Sequence, residues 1–143
     1  MSKIKWIDET KELLKKHEGV KTKLYKCPAN KWTVGVGHNI EDNGLSLSCV
    51  EFIFEEDFNH CVKIAEAIFG KTSFNNLPDN AKKVIVDMIF NLGGTRFEAF
   101  KKMIKCIKSK DFVGASKEII NSKAYTQNTK RYRELATLMM GAK

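Results

Sequence analysis

The chain has 143 residues, enough for one domain with a proper core and too few for two independent ones. Hydrophobic residues make up 43% and charged residues 29%, a globular balance; the opening MSKIKWIDETKELLKK has no continuous apolar run and no later stretch nears the roughly eighteen apolar residues of a span, so neither signal peptide nor membrane helix is expected, and the protein reads as made in the cytoplasm. A net charge of +8 suits nucleic acid, anionic lipid, bacterial cell wall or solubility alone, but the basic residues are dispersed without an arginine-rich arm, zinc-finger spacing or aromatic RNP pattern, which disfavours nucleic acid.

In chain order, the first helical pattern (Trp6, Ile7, Leu13, Leu14) ends at Glu18-Gly19, placing a carboxylate at a helix C-terminus. The macrodipole opposes negative charge there and raises a carboxyl pKa, which suits a general acid. Leu24, Tyr25, Trp32, Val34 and Val36 alternate with polar residues or glycine around CPANK at 27–31, which predicts an antiparallel hairpin. EDNGLSLS reads as turn, and Ser48 with Glu51 as the capping box of a long helix carrying Val50, Phe54, Phe58, Cys61, Ala65 and Ile68 to Gly70. KTSFNNLPDN is expected to be a loop whose Pro78 opens a core helix bearing Ala81, Val84, Ile85, Met88, Ile89 and Leu92, stopped by Gly93-Gly94. Three shorter helices follow, over about 96–108, 111–121 and 130–140. The four cysteines, Cys27, Cys49, Cys61 and Cys106, lie far apart without CxxC pairs, so neither a disulfide framework nor a metal site is expected, and the last three read as small packing residues.

The run Glu18-Gly19, Tyr25 and Thr33-Val34-Gly35-Val36-Gly37-His38 resembles the signature of phage-type lysozymes, the endolysin muramidases of tailed phages. In that family a Glu, eight residues, an Asp or Cys, five residues and a Thr form the catalytic set; Glu18, Cys27 and Thr33 have that spacing, with Cys27 replacing the commoner Asp. The resemblance implies an α+β, mostly helical fold spanning 1–143: a small antiparallel β lobe (about 19–45) and a larger helical lobe (about 70–143 plus the N-terminal helix), joined by a long helix, with a sugar-binding cleft between. It implies Glu18 as acid, Cys27 as base, nucleophile or water holder, and Thr33 as its helper. Asn39, Phe90 and Asn91 are expected at the substrate. His38 paired with Asp57, and Arg131 reaching the glutamate, are expected as support.

Each residue has a plainer reading. Glu18 alone is a helix-end glutamate, Cys27 a turn residue, Thr33 a strand threonine and Arg131 a surface arginine; their joint spacing favours chemistry. A neighbouring carboxylate should push the Cys27 thiol upward unless Lys26 and Lys31 compensate. The resemblance implies peptidoglycan glycan strands as partner, with no nucleic acid, stable membrane association or cofactor, a monomer, and release to the wall through a holin. The alternatives are a degenerate wall-binding module, against which Glu18 and Thr33 argue, and a basic nucleic-acid binder.

Overall fold

The computed structural model describes residues 2–143 and side chains from residue 4 onward. It is mostly helical with one three-stranded antiparallel sheet, and chain contacts divide it into two compact units, Met1–Glu51 and Phe52–Lys143.

In the first unit, α1 (Ser2–Glu18) carries the strong helix formers of KELLKKHE into its last turn, where Lys15, Lys16 and His17 complement the macrodipole. Gly19 takes φ +79 and donates its N–H to Lys15 O at 2.8 Å, which stops the helix with Glu18 as its last residue. Strands β1 (Lys21–Lys26) and β2 (Trp32–Gly35) pair with Tyr25 opposite Thr33 and Lys26 opposite Trp32. The turn between them closes with Cys27 N–H on Lys31 O (3.0 Å) and Asn30 N–H on Cys27 O (2.8 Å), Asn30 adopting φ 61. A short β3 (His38–Asn39) adds Thr33 opposite Asn39 and Val34 opposite His38. Thr33 on the central strand is the one buried residue of this unit among the described residues.

Much of the segment read as a turn, EDNGLSLS, is helical. Ile40–Asn43 forms α2, capped by Asn39, whose side chain accepts the Asp42 N–H. The long helix α3 spans Leu47–Phe69 and starts earlier than the capping box predicted, because Ser46 Oγ accepts the Cys49 N–H at 3.2 Å.

The second unit is built around α5 (Asp79–Leu92), whose Ala81, Val84, Ile85, Met88 and Ile89 are all buried as its apolar stripe requires. The expected loop before it contains a helix, α4 (Lys71–Asn75), which sinks Phe74 into the core. The expected helix over 96–108 is two, α6 (Gly94–Glu98) and α7 (Lys101–Lys108), broken at Phe100, whose ψ of 58 is not helical. Next come α8 (Phe112–Ile120), α9 (Lys123–Gln127) and α10 (Thr129–Met140). Buried Ser116 ties α8 to α10 by donating to Ala136 O at 2.7 Å. Cys61 lies in the core and Cys106 against it, but Cys49 is exposed, contrary to its reading as a packing residue.

Candidate active site

Glu18 ends α1, and its carboxylate lies over Gly37. A Cβ built on Gly37 would stand 2.8 Å from Glu18 Oε2, and Gly37 itself has φ +62. Two constraints thus select glycine at the turn into β3: left-handed backbone, and room for the carboxylate.

Cys27 opens the hairpin turn and is partly buried. Its thiol is held below the ordinary range, chiefly by a hydrogen bond from the Lys31 backbone, with further help from the Ala29 backbone and the Thr33 hydroxyl; desolvation opposes them. The sequence-based expectation was an upward shift unless Lys26 and Lys31 compensated; the direction is downward, and the groups that lower it are others. Backbone amides of the turn and Thr33 stabilise the thiolate, as hydrogen bonds to a charged form do, while the lysine ammonium groups are engaged elsewhere. Lys31 Nζ lies 3.5 Å from Glu41 Oε2 and 3.2 Å from Asp42 Oδ1, and Lys26 Nζ lies 3.6 Å from Glu41 Oε1 and 4.2 Å from the Trp32 ring centroid. Both carboxylates are held below their usual range, Glu41 chiefly by the Trp32 N–H and Asp42 chiefly by the Asn39 amide.

Thr33 Oγ1 donates to Lys31 O at 2.8 Å. It has one proton, so it serves either that carbonyl or the Cys27 sulfur at a given moment. The Lys31 carbonyl therefore receives both the Cys27 N–H and the Thr33 hydroxyl, which places two of the three motif residues on one peptide group.

The model for the family described as phage lysozyme matches residues 15–138. Similar proteins include probable T4-type lysozyme 2 of Dictyostelium discoideum, 29% identical with 87% of this chain and 89% of that protein covered, and probable T4-type lysozyme 1 of the same organism, 30% identical with 81% and 84% covered. An endolysin of Acyrthosiphon pisum secondary endosymbiont phage 1 is 30% identical, with 83% and 80% covered. The chain belongs to the phage lysozyme family. Its function is of the lysozyme type, and it is an enzyme.

The remaining positions of this enzyme divide between the units. In the first, His38 Nε2 donates to Gly44 O at 2.7 Å, since a carbonyl can only accept. Asn39 is committed to Asp42 through both ends of its amide, Oδ1 taking the Asp42 N–H at 3.1 Å and Nδ2 giving to Oδ2 at 3.0 Å. In the second unit, Asp57 is exposed on α3. Arg131 Nε donates to Asp87 Oδ1 at 2.8 Å, and its second nitrogen faces Asp87 O at 3.4 Å. Asn91 Oδ1 accepts the hydroxyl of buried Tyr132 at 2.7 Å. Phe90 is half exposed, edge-on to Phe54 at 6.0 Å between centroids. Phe54, Phe58, Val86, Phe90, Asp87 and Arg131 are among the residues that line a cavity of ≈ 660 Å³ within this unit.

Sequence reasoning missed Glu41, Asp42, Asp87 and Tyr132. The first pair lay inside an apparent turn; the second pair stands on helices whose packing brings together residues more than forty apart.

Proposed function

We propose that the protein is a muramidase that hydrolyses the β-1,4 bond between N-acetylmuramic acid and N-acetylglucosamine in peptidoglycan and acts as an endolysin. It would be made in the host cytoplasm, reach the wall after membrane permeabilisation and work as a monomer.

Glycoside hydrolysis needs an acid for the leaving oxygen and a second group to activate water or attack the anomeric carbon. Glu18 is assigned the first role. Cys27, whose thiol is eased toward thiolate by the Lys31 backbone, takes the second, and Thr33 alternates its proton between Lys31 O and the sulfur as that charge appears. The observation that supports the reading is the spacing of Glu18, Cys27 and Thr33 together with the meeting of Cys27 N–H and the Thr33 hydroxyl on the Lys31 carbonyl. Glu41 and Asp42 are ion-paired with lysines, so they do not supply a free second carboxylate. Asn39, Phe90 and Asn91 are assigned to substrate, and His38, Asp57 and Arg131 to support of the site.

Clearing of a peptidoglycan suspension tests the assignment. Glu18→Gln keeps the shape and loses the transferable proton, so clearing should fall by at least the 10²-fold of a lost general acid with the melting temperature nearly unchanged. Equal clearing by wild type and variant would remove the assignment.

A further inference from the structure

We propose that Glu41 is a positioning residue for Cys27, holding in register the hairpin turn that Cys27 opens and that closes on the Lys31 carbonyl. The proposal rests on the reading of Cys27 as a reacting group. One carboxylate reaches both strands at the last rung before the turn: Oε1 accepts the Trp32 N–H at 3.2 Å and lies 3.6 Å from Lys26 Nζ, while Oε2 lies 3.5 Å from Lys31 Nζ. Lys26 and Trp32 are the paired residues of that rung. Lys31 is the hub of the turn. Its carbonyl takes Cys27 N–H and the Thr33 hydroxyl, and its ammonium is fixed by Glu41 and Asp42.

Glu41 in turn is held in place by its helix. Asn39 caps α2 through Asp42 N and also sits opposite Thr33 in the sheet, so α2 and the turn share one hydrogen-bonded frame. Removing Glu41 leaves the Trp32 N–H without its acceptor, takes from Lys26 its carboxylate and leaves Lys31 to Asp42 alone, and the turn can then slip from the register that holds Cys27.

The test is the pH dependence of Cys27 alkylation by iodoacetamide, read on the Cys27 peptide by mass spectrometry so that the other cysteines do not interfere. In 1 M KCl, where the Debye length is about 3 Å, loss of the Glu41 charge is largely screened and the midpoint reports geometry. The wild-type midpoint should lie below the reference thiol value of about 8.5. Glu41→Ala should raise it by about one unit, a tenfold loss of thiolate below the midpoint. Glu41→Gln, whose amide oxygen still accepts the Trp32 N–H, should fall between, and carries the test if the Ala variant does not fold. A merely structural role would lower the melting temperature and leave the midpoint in place. A raised midpoint with slower lysis upholds the positioning role and the reading of Cys27; a raised midpoint with unchanged lysis upholds the positioning role and removes Cys27 from the reaction. Midpoints equal to wild type in the folded variants overturn the proposal whatever lysis does.

Discussion

At the scale of single residues, Cys27 and Gly37 make opposite demands on the two turns of one sheet. Cys27 sits in a turn closed by its own N–H on Lys31 O and its own carbonyl on Asn30 N–H; Gly37 needs nothing where a side chain would be, because Glu18 lies there. Gly37→Ala forces an L-residue to φ +62 at a cost of about 1–2 kcal/mol and displaces the flexible Glu18 carboxylate. Clearing activity should therefore drop far more than thermal stability, and a variant that kept full activity would dissociate Gly37 from the acid. At position 27, Asp restores the commoner family carboxylate and should retain substantial activity, whereas Ala should lose about 10²-fold. Ser matches wild type only if the residue merely holds water. If the thiolate is the working form, wild-type activity rises with pH through a value below the ordinary thiol range and the limb in Cys27→Asp moves to acid pH; superimposable profiles would contradict this. The spacing of Glu18, Cys27 and Thr33 was legible in the sequence, but the sign of the thiol's shift was not. Sequence shows charges such as Lys26 and Lys31, whereas the deciding groups are backbone amides oriented by the turn.

At the scale of elements, the helices with strong apolar stripes were legible and those with cap-driven or packing-driven starts were not. The stripe of α5 alone fixes which face is buried. By contrast α2 owes its existence to the Asn39 cap, α9 to Ser122, whose side chain accepts the Tyr125 N–H, and the split of α6 from α7 to the backbone at Phe100; no period in the sequence announces any of them. The α2 frame also sets an acid response. Glu41 and Asp42 have folded pKa values below their unfolded ones, so they stabilise the fold above the unfolded values near 4 and cease to do so as pH falls through the folded values. The charge-neutral pair Glu41→Gln and Asp42→Asn should flatten that part of the acid unfolding curve, and an unchanged curve would mean that the frame contributes nothing to it. Between α8 and α10, Ser116→Ala deletes a buried hydrogen bond worth about 1 kcal/mol. Denaturant titration should show a loss of that size, and a neutral result would mean that the Ala136 carbonyl is satisfied by its helix alone.

At the scale of the whole molecule, composition bounded the size and class, and the dispersed charge of +8 pointed to an anionic partner without naming one. The helical core was legible where Ile85, Met88 and Ile89 recur at helical spacing, and these three are fully buried, as are Phe97, Ile107, Ile119 and Met139 on the later helices. The tertiary pairs Arg131–Asp87 and Tyr132–Asn91 were not, since nothing local links residues so far apart in sequence. The proposed activity breaks one kind of bond, and the chemistry of the new chain ends reports it directly. Purified peptidoglycan digested by wild type and then reduced with borohydride should yield muramitol, the mark of muramic acid at a freed reducing end, and Glu18→Gln should yield none above the undigested control. Glucosaminitol in its place, no new reducing ends, or equal muramitol from the folded Glu18→Gln variant would contradict the account.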